Sequence, residues 1–167
     1  TFRFYRVTSD AWSEQPQGNC AGSWIVLTPV TARRVSAVGY YFGHRLNHEL
    51  KIPIGCVQSA RGNTRIEPWV SASGYRMVPE LADYSKGIDM FIPSTPIGRQ
   101  TQQESIQKVA DWMTAAKAAA EAGRLLPRLP GLPWPGNSDG TAAALYNGMI
   151  APLVPFGIKG AIWYQGE

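Results

Sequence analysis

The chain has 167 residues, 44% apolar and 17% charged, a balance that fits a globular domain with a proper core and excludes a disordered chain. Sixteen basic residues against twelve acidic ones leave a net charge of +4, spread along the sequence with no Lys/Arg run, which argues against a nucleic-acid partner. No apolar stretch approaches membrane-spanning length, so no membrane partner is expected.

The sequence opens on TFRFYRVT, a strand-like run without an initiator Met, and no signal peptide is visible. That opening reads as the interior of a longer protein. Phe2, Phe4 and Arg6 alternate with Arg3, Tyr5 and Val7, which predicts a strand. Aromatic–basic interleaving also occurs in nucleic-acid binding, but over six residues the strand reading carries it. Residues 9 to 23 are rich in Ser, Gln, Gly, Asn and Pro and read as loop. Ser23 to Val30 is a short apolar run with Pro29 near its end, an edge-strand pattern. Ser36 is placed to cap a helix whose Val38, Phe42, Leu46 and Leu50 share one face. Pro53 ends that segment, and Ile54 to Ser59 is a second strand candidate. The order strand, helix, strand suggests a parallel crossover.

Residues 70 to 100 have no clear period. From Thr101 to Gly123 a long helix is predicted, with Ile106, Val109, Ala110, Met113, Ala116 and Ala120 as its apolar stripe. Thr101 and Glu104 fit a capping box, Gly123 fits the stop, and Glu104 with Lys108 fits an exposed pair. Leu125 to Asp139 is a stiff Pro/Gly loop carrying Trp134. Thr141 to Ile150 reads as a short helix and Lys159 to Tyr164 as a last, buried strand. No internal repeat or linker is visible. The expectation is one α/β domain over residues 1–167 with a mainly parallel sheet.

Cys20 and Cys56 show no CxxC spacing and no nearby His pair, and read as small buried residues rather than a disulfide. His44 and His48 stand four apart on a helix, a spacing that can hold a metal. The residues between them are Arg45, Leu46 and Asn47, so the acidic partner of a metalloprotease helix is missing. Both project away from the Val38/Phe42/Leu46 stripe and read as solvated surface histidines. Six Trp and seven Tyr are many for this length; core packing and stacking on a ring-shaped ligand are both open to them.

In parallel α/β sheets, ligands sit beyond the carboxyl ends of the strands. Two stretches put small and polar residues there: SARGNTRIEPW (59 to 69) and YQGE (164 to 167). Gly62 allows close backbone approach. Its N–H and the Gln165 side-chain amide make a candidate pair of oxyanion donors, each typically worth about 3 kcal/mol in the transition state. Taken singly, Gly62 and Gly166 are turn glycines and Gln165 a solvated strand end; following two strands of one sheet, they read as a site.

SARGNTRIEPW, LYNGMIAPL (145 to 153) and IKGAIWYQGE (158 to 167), with SAVGYYFGHRL (36 to 46) and PIGCVQSA (53 to 60), resemble the sialate O-acetylesterase family, a branch of the SGNH hydrolases that removes acetyl esters from sugars. The resemblance spans nearly the whole chain. It implies a three-layer α/β/α fold with a parallel sheet and a serine-type ester hydrolase that needs no metal or organic cofactor. It also implies a Ser nucleophile in a Gly-Gln-Ser-Asn motif near the start of the domain and a His near its end. Carried over, Gly62 matches the backbone oxyanion donor, Gln165 the polar donor, and Glu167 a carboxylate that orients the His or holds a sugar hydroxyl. Three departures stand out. Asn63 occupies a position where the family usually has a second glycine; Asn tolerates a left-handed backbone better than most residues. No Gly-Gln-Ser-Asn motif occurs in the chain. Neither His44 nor His48 stands in an Asp-x-x-His setting.

The resemblance therefore implies the middle portion of an esterase domain, inactive by itself, from a secreted or periplasmic enzyme acting on O-acetylated carbohydrate. The alternative is a non-catalytic carbohydrate-binding relative that has lost its serine. Asn63, Arg65, Trp69, Trp134 and Asn147 are candidate substrate contacts. Against that, Arg65 fits a pair with Glu67, Trp69 fits packing at a helix start, and Asn147 fits a loop-fixing role. Composition and spacing leave oligomeric state and the identity of the sugar open.

Overall fold

The structure, a computed structural model, describes residues 1–8, 11–133 and 140–166. Trp134, Glu167 and the end of the 125–139 loop lie outside the described residues. The chain divides into two compact units, Thr1–Ser71 with Asn137–Glu167, and Ala72–Gly136.

The first unit is built on a three-stranded sheet in the order β2–β1–β3. Strand β1 (Phe2–Val7) lies in the middle, with β2 (Gly22–Val26) antiparallel on one side and β3 (Ile54–Gln58) parallel on the other. The fold is α/β, but this sheet is mixed rather than mainly parallel. Alternation marks a segment as a strand without fixing its direction. The crossover predicted between the second strand and β3 joins β1 to β3 instead. The edge-strand reading holds for β2, though β2 stops at Val26. There the Thr31 hydroxyl donates to the Val26 carbonyl (2.7 Å) and accepts from Thr28 N–H (2.8 Å), which turns the chain before Pro29.

Helix α1 (Ala37–Leu50) follows β2 in the chain and leads into β3. The Ser36 hydroxyl caps it, accepting from Gly39 N–H (3.2 Å) as its sequence position predicts. The helix does not bury the expected stripe. Val38, Phe42 and Leu50 are about half exposed, and the buried positions are Gly39 and Gly43. A Cβ on Gly39 would sit 3.2 Å from the Phe4 ring, and one on Gly43 would sit 2.5 Å from the Phe2 ring and 2.9 Å from Cys56 Sγ. Two glycines one turn apart thus let the helix backbone rest directly on the aromatic face of β1. His44 and His48 are exposed, with His44 stacked on Tyr40.

The opposite face of the sheet carries the core. Val7, Trp69, Leu145 and Met149 are buried together, with Tyr5, Ala11, Cys20, Ile150 and Leu153 packed around them. Full burial of each large apolar side chain is worth about 1.5–3 kcal/mol. Leu145 and Met149 come from the predicted 141–150 segment, which forms helical turns at Tyr146–Ile150 and Ala151–Leu153. Both cysteines are free thiols. The last predicted strand does not form: residues 159–164 have no ladder partner among the described residues, and Ile162, Trp163 and Tyr164 are exposed.

The second unit is helical: α2 (Ala72–Arg76), α3 (Ala82–Asp89) and α4 (Pro96–Glu121). Tyr75 stacks on Tyr84 at 5.2 Å, and Arg76 pairs with Asp89. Helix α4 starts five residues before the predicted position. Thr95 is its cap, accepting from Gly98 N–H (3.0 Å), and Pro96 fills the first turn. That combination outweighs the proposed Thr101 cap, because Pro costs nothing where the N–H has no helical acceptor. Glu104 accepts from Gln100 (2.8 Å) rather than closing a box. Gly123 ends the helix at φ +61° as predicted. Of the predicted stripe, Ala116 is buried, while Ile106, Val109, Ala110, Met113 and Ala120 are exposed.

The glycine contacts of α1 separate two otherwise identical substitutions. Gly→Ala in a helix interior gains about 1 kcal/mol of propensity. At Gly39 the mild squeeze against Phe4 offsets that gain, and Gly39→Ala is expected to change stability by less than about 1 kcal/mol. At Gly43 the new methyl overlaps both Phe2 and Cys56, and Gly43→Ala is expected to lose about 1–3 kcal/mol. Chemical denaturation of the two variants side by side checks the difference.

Candidate active site

The parallel strands β1 and β3 end together, with Arg6 in register with Gln58. The chain leaves β3 into the turn at residues 59–66. Arg6, Gln58, Ala60, Arg61 and Gly62 line an open depression of about 410 Å³ at this rim. Gln58 Oε1 accepts from the Ser36 backbone N–H (2.7 Å), which ties the rim to the start of α1.

The turn is fixed by a buried threonine. Thr64 Oγ1 donates to the Arg61 carbonyl (2.9 Å) and accepts from Trp69 Nε1 (3.0 Å). The Thr64 carbonyl accepts from Gln165 Nε2 (2.9 Å). One residue therefore closes the turn, anchors it to the core through Trp69, and holds the amide of Gln165 beside it. Ser59 Oγ adds a bond to the Met149 carbonyl (2.9 Å), and Ala143 N–H donates to the Glu67 carbonyl (3.2 Å).

Gly62 and Asn63 divide the backbone requirements of the turn. Asn63 holds the left-handed conformation, φ +59°. Gly62 has open space where a Cβ would project. The demanding position is the one where the family pattern has a second glycine, and Asn is the commonest non-Gly residue to accept it. Arg65 is exposed.

Two predicted substrate contacts are corrected. Trp69 is only 9% exposed and forms part of the core with Val7, Leu145 and Met149, so its ring offers no face to a ligand. Asn147 is 6% exposed. Its Nδ2 donates to the carbonyls of Ser13 and Glu14 (both 3.1 Å), while its own carbonyl accepts from Gln17 N–H (2.9 Å). It clamps the loop after β1. The next residue, Gly148, is where that loop presses closest, because a Cβ there would collide with the Ala11 carbonyl. The Asn-Gly pair of LYNGM is thus explained by packing. The sequence reading missed Thr64 as a hub and Arg6, Gln58 and Arg61 as lining. Their shared signal is position, at or just past the carboxyl ends of two parallel strands. Burial pushes the Cys56 thiol up, but Cys56 packs under α1, away from these groups.

The comparisons with known proteins bear on this rim. The chain is 29% identical to the sialate O-acetylesterase of Rattus norvegicus over 158 residues and to that of Mus musculus over 162, in each case covering 94% of the chain. Over nearly its whole length the chain is thus similar to sialate O-acetylesterases. It spans about a quarter of the length of these relatives (24% of each). A carbohydrate acetylesterase from Xanthomonas citri superposes on it with a TM-score of 0.58 at 29% identity, over 99% of this chain and 25% of that one. No protein-family model matches.

The turn makes its own energetic prediction. Thr64→Val removes the acceptor of a buried indole N–H and is expected to lose about 1–3 kcal/mol, with Thr64→Ser losing less. Asn63→Gly is expected to stay within about 1 kcal/mol, whereas Asn63→Val places a β-branched residue in the left-handed region and loses about 1–2 kcal/mol. Thermal unfolding of the four variants orders them.

Proposed function

We propose that this chain is the middle portion of an SGNH-like carbohydrate O-acetylesterase domain, serine-type, with a three-layer α/β/α architecture in the whole protein. The observation that carries this reading is the 2.9 Å bond from Gln165 to Thr64, which brings the YQG segment to the turn that contains Gly62. The homology to acetylesterases supports it.

In the proposed mechanism a serine outside these 167 residues attacks the acetyl carbonyl and a histidine outside them moves the proton, the activating pair of ester hydrolysis. Gly62 N–H and the Gln165 amide stabilise the tetrahedral oxyanion. A primary amide has two N–H donors. Thr64 takes one and thereby orients the group, leaving the second for the developing charge. A donor fixed in advance stabilises a transition state without reorganising as charge develops. Glu167 is proposed to orient the histidine or a sugar hydroxyl, and Asn63, Arg65 and Trp134 to contact the sugar. The substrate is an O-acetylated carbohydrate, and a location outside the cytoplasm follows where such glycans are met. Among the described residues no helix is long and apolar enough to cross a membrane.

Acetate release from an acetylated sugar by the whole protein tests the reading. Gln165→Ala is expected to lower kcat about a hundredfold while leaving the unfolding midpoint nearly unchanged. An unaltered rate removes Gln165 from the mechanism. The 167-residue piece alone is expected to release no acetate, because it holds neither the nucleophile nor the base.

A further inference from the structure

Residues 124–133 read RLLPRLPGLP, in which one unit recurs at a fixed period: Leu126-Pro127, Leu129-Pro130 and Leu132-Pro133 stand three residues apart. Proline fixes φ at about −65°, and the residue before a proline is pushed to extended backbone. Six of the eight residues 126–133 fall under one rule or the other. They favour polyproline II, which has three residues per turn and no internal hydrogen bonds. Residues 124–133 accordingly form neither helix, strand nor turn. A three-residue repeat on such a helix puts the Leu-Pro pairs along one edge, with neighbouring pairs about 9 Å apart.

Two bonds hold this strip to α4. Arg124 N–H donates to the Ala119 carbonyl (2.8 Å) at the end of the helix, and Trp112 Nε1 donates to the Pro127 carbonyl (3.0 Å). The leucines stay outside: Leu125, Leu126 and Leu129 are 96%, 58% and 73% exposed. Arg124 and Arg128 are exposed as well, and no acidic residue occurs among residues 122–133. A segment stiffened by proline and tied to its own helix has little freedom left to lose on binding.

We infer that residues 124–130 are a docking strip for a partner protein with an aromatic-walled groove and an acidic pocket at one end. Grooves of that kind seat successive apolar-Pro pairs of a polyproline II segment in adjacent slots. Leu126-Pro127 and Leu129-Pro130 fill two slots. Arg124, two residues before the first pair, meets the acidic pocket, and the order Arg-x-Leu-Pro-x-Leu-Pro sets the direction in which the strip lies. Carbonyls without internal partners are open to the Trp N–H and Tyr O–H groups of the groove. The fixed spacing favours a protein groove over a lipid surface, which needs apolar area and charge but no register. The inference stands apart from the esterase reading.

The whole protein is titrated with two purified SH3 domains, one selecting an arginine before the Leu-Pro pairs and the other an arginine after them, with the groove tryptophan fluorescence as readout. Saturable binding of the first domain is expected, with the second at least about tenfold weaker. Leu129→Ala and Arg124→Gln should each weaken the first titration about tenfold, with Arg124→Lys keeping part of the affinity. Both side chains are exposed, so the unfolding midpoints should not move. Binding of neither domain, equal binding of both, or an unchanged titration with either substitution overturns the proposal. So does binding to phosphatidylglycerol vesicles that Leu129→Ala weakens while neither domain binds, a result that assigns the strip to a membrane surface.

Discussion

The site rests on the three hydrogen bonds of Thr64. Its hydroxyl closes the turn on Arg61 and accepts the Trp69 indole, and its carbonyl holds Gln165. Each bond is worth only about 1 kcal/mol net, so the consequence is geometric more than energetic. Trp69 belongs to the core that covers one face of the sheet, and the turn therefore inherits the rigidity of that core. A side-chain amide 101 residues further along is fixed against the same residue. Loops can carry precise chemistry when a packed scaffold positions them, and here a buried threonine is the link between scaffold and loop.

A second constraint positions the other wall of the rim. Helix α1 approaches the sheet through Gly39 and Gly43, close enough that Ser36, at its start, receives the Gln58 side chain. With larger residues at those two positions the helix would stand further off, and the bond from the strand end to the cap would lengthen. Close helix–sheet approach and a structured carboxyl-end rim are therefore one requirement, met by two small residues a turn apart.

The sequence was most legible where local chemistry decides the outcome. The Ser36 cap, the β1 alternation and the Gly123 stop each act through neighbouring backbone. It was least legible where burial decides. The stripe Val38/Phe42/Leu50 has helical period, yet glycines carry the contact, and periodicity in hydrophobicity cannot register a residue with no side chain. The predicted start of α4 at Thr101 is too late because residues 70 to 100 show no clear period, and the Thr95 cap with Pro96 after it lies inside that stretch. At the site, Gln165 and Gly62 were found together because both follow strand-like runs. Thr64 was passed over because a threonine in a turn carries no signal of burial. Trp69 and Asn147 were read as contacts or as packing, and only burial could choose between the two.

The segment 159–164 shows how a strand-like pattern can be present without its strand. Its apolar content and β-forming residues are those of an inner strand, but a ladder needs a neighbour, and unpaired backbone with exposed Trp163 and Tyr164 is the kind of edge that proteins ordinarily cover. The outer edge of β3 is unpaired as well among the described residues. Yet Gln165, directly after this segment, is already bonded to Thr64. The polar end of the segment is thus placed by a side-chain hydrogen bond, independently of any ladder. The order of dependence is then the reverse of a usual strand-end site: the hydrogen bond does not follow from the sheet, and it locates the segment that a sheet would extend.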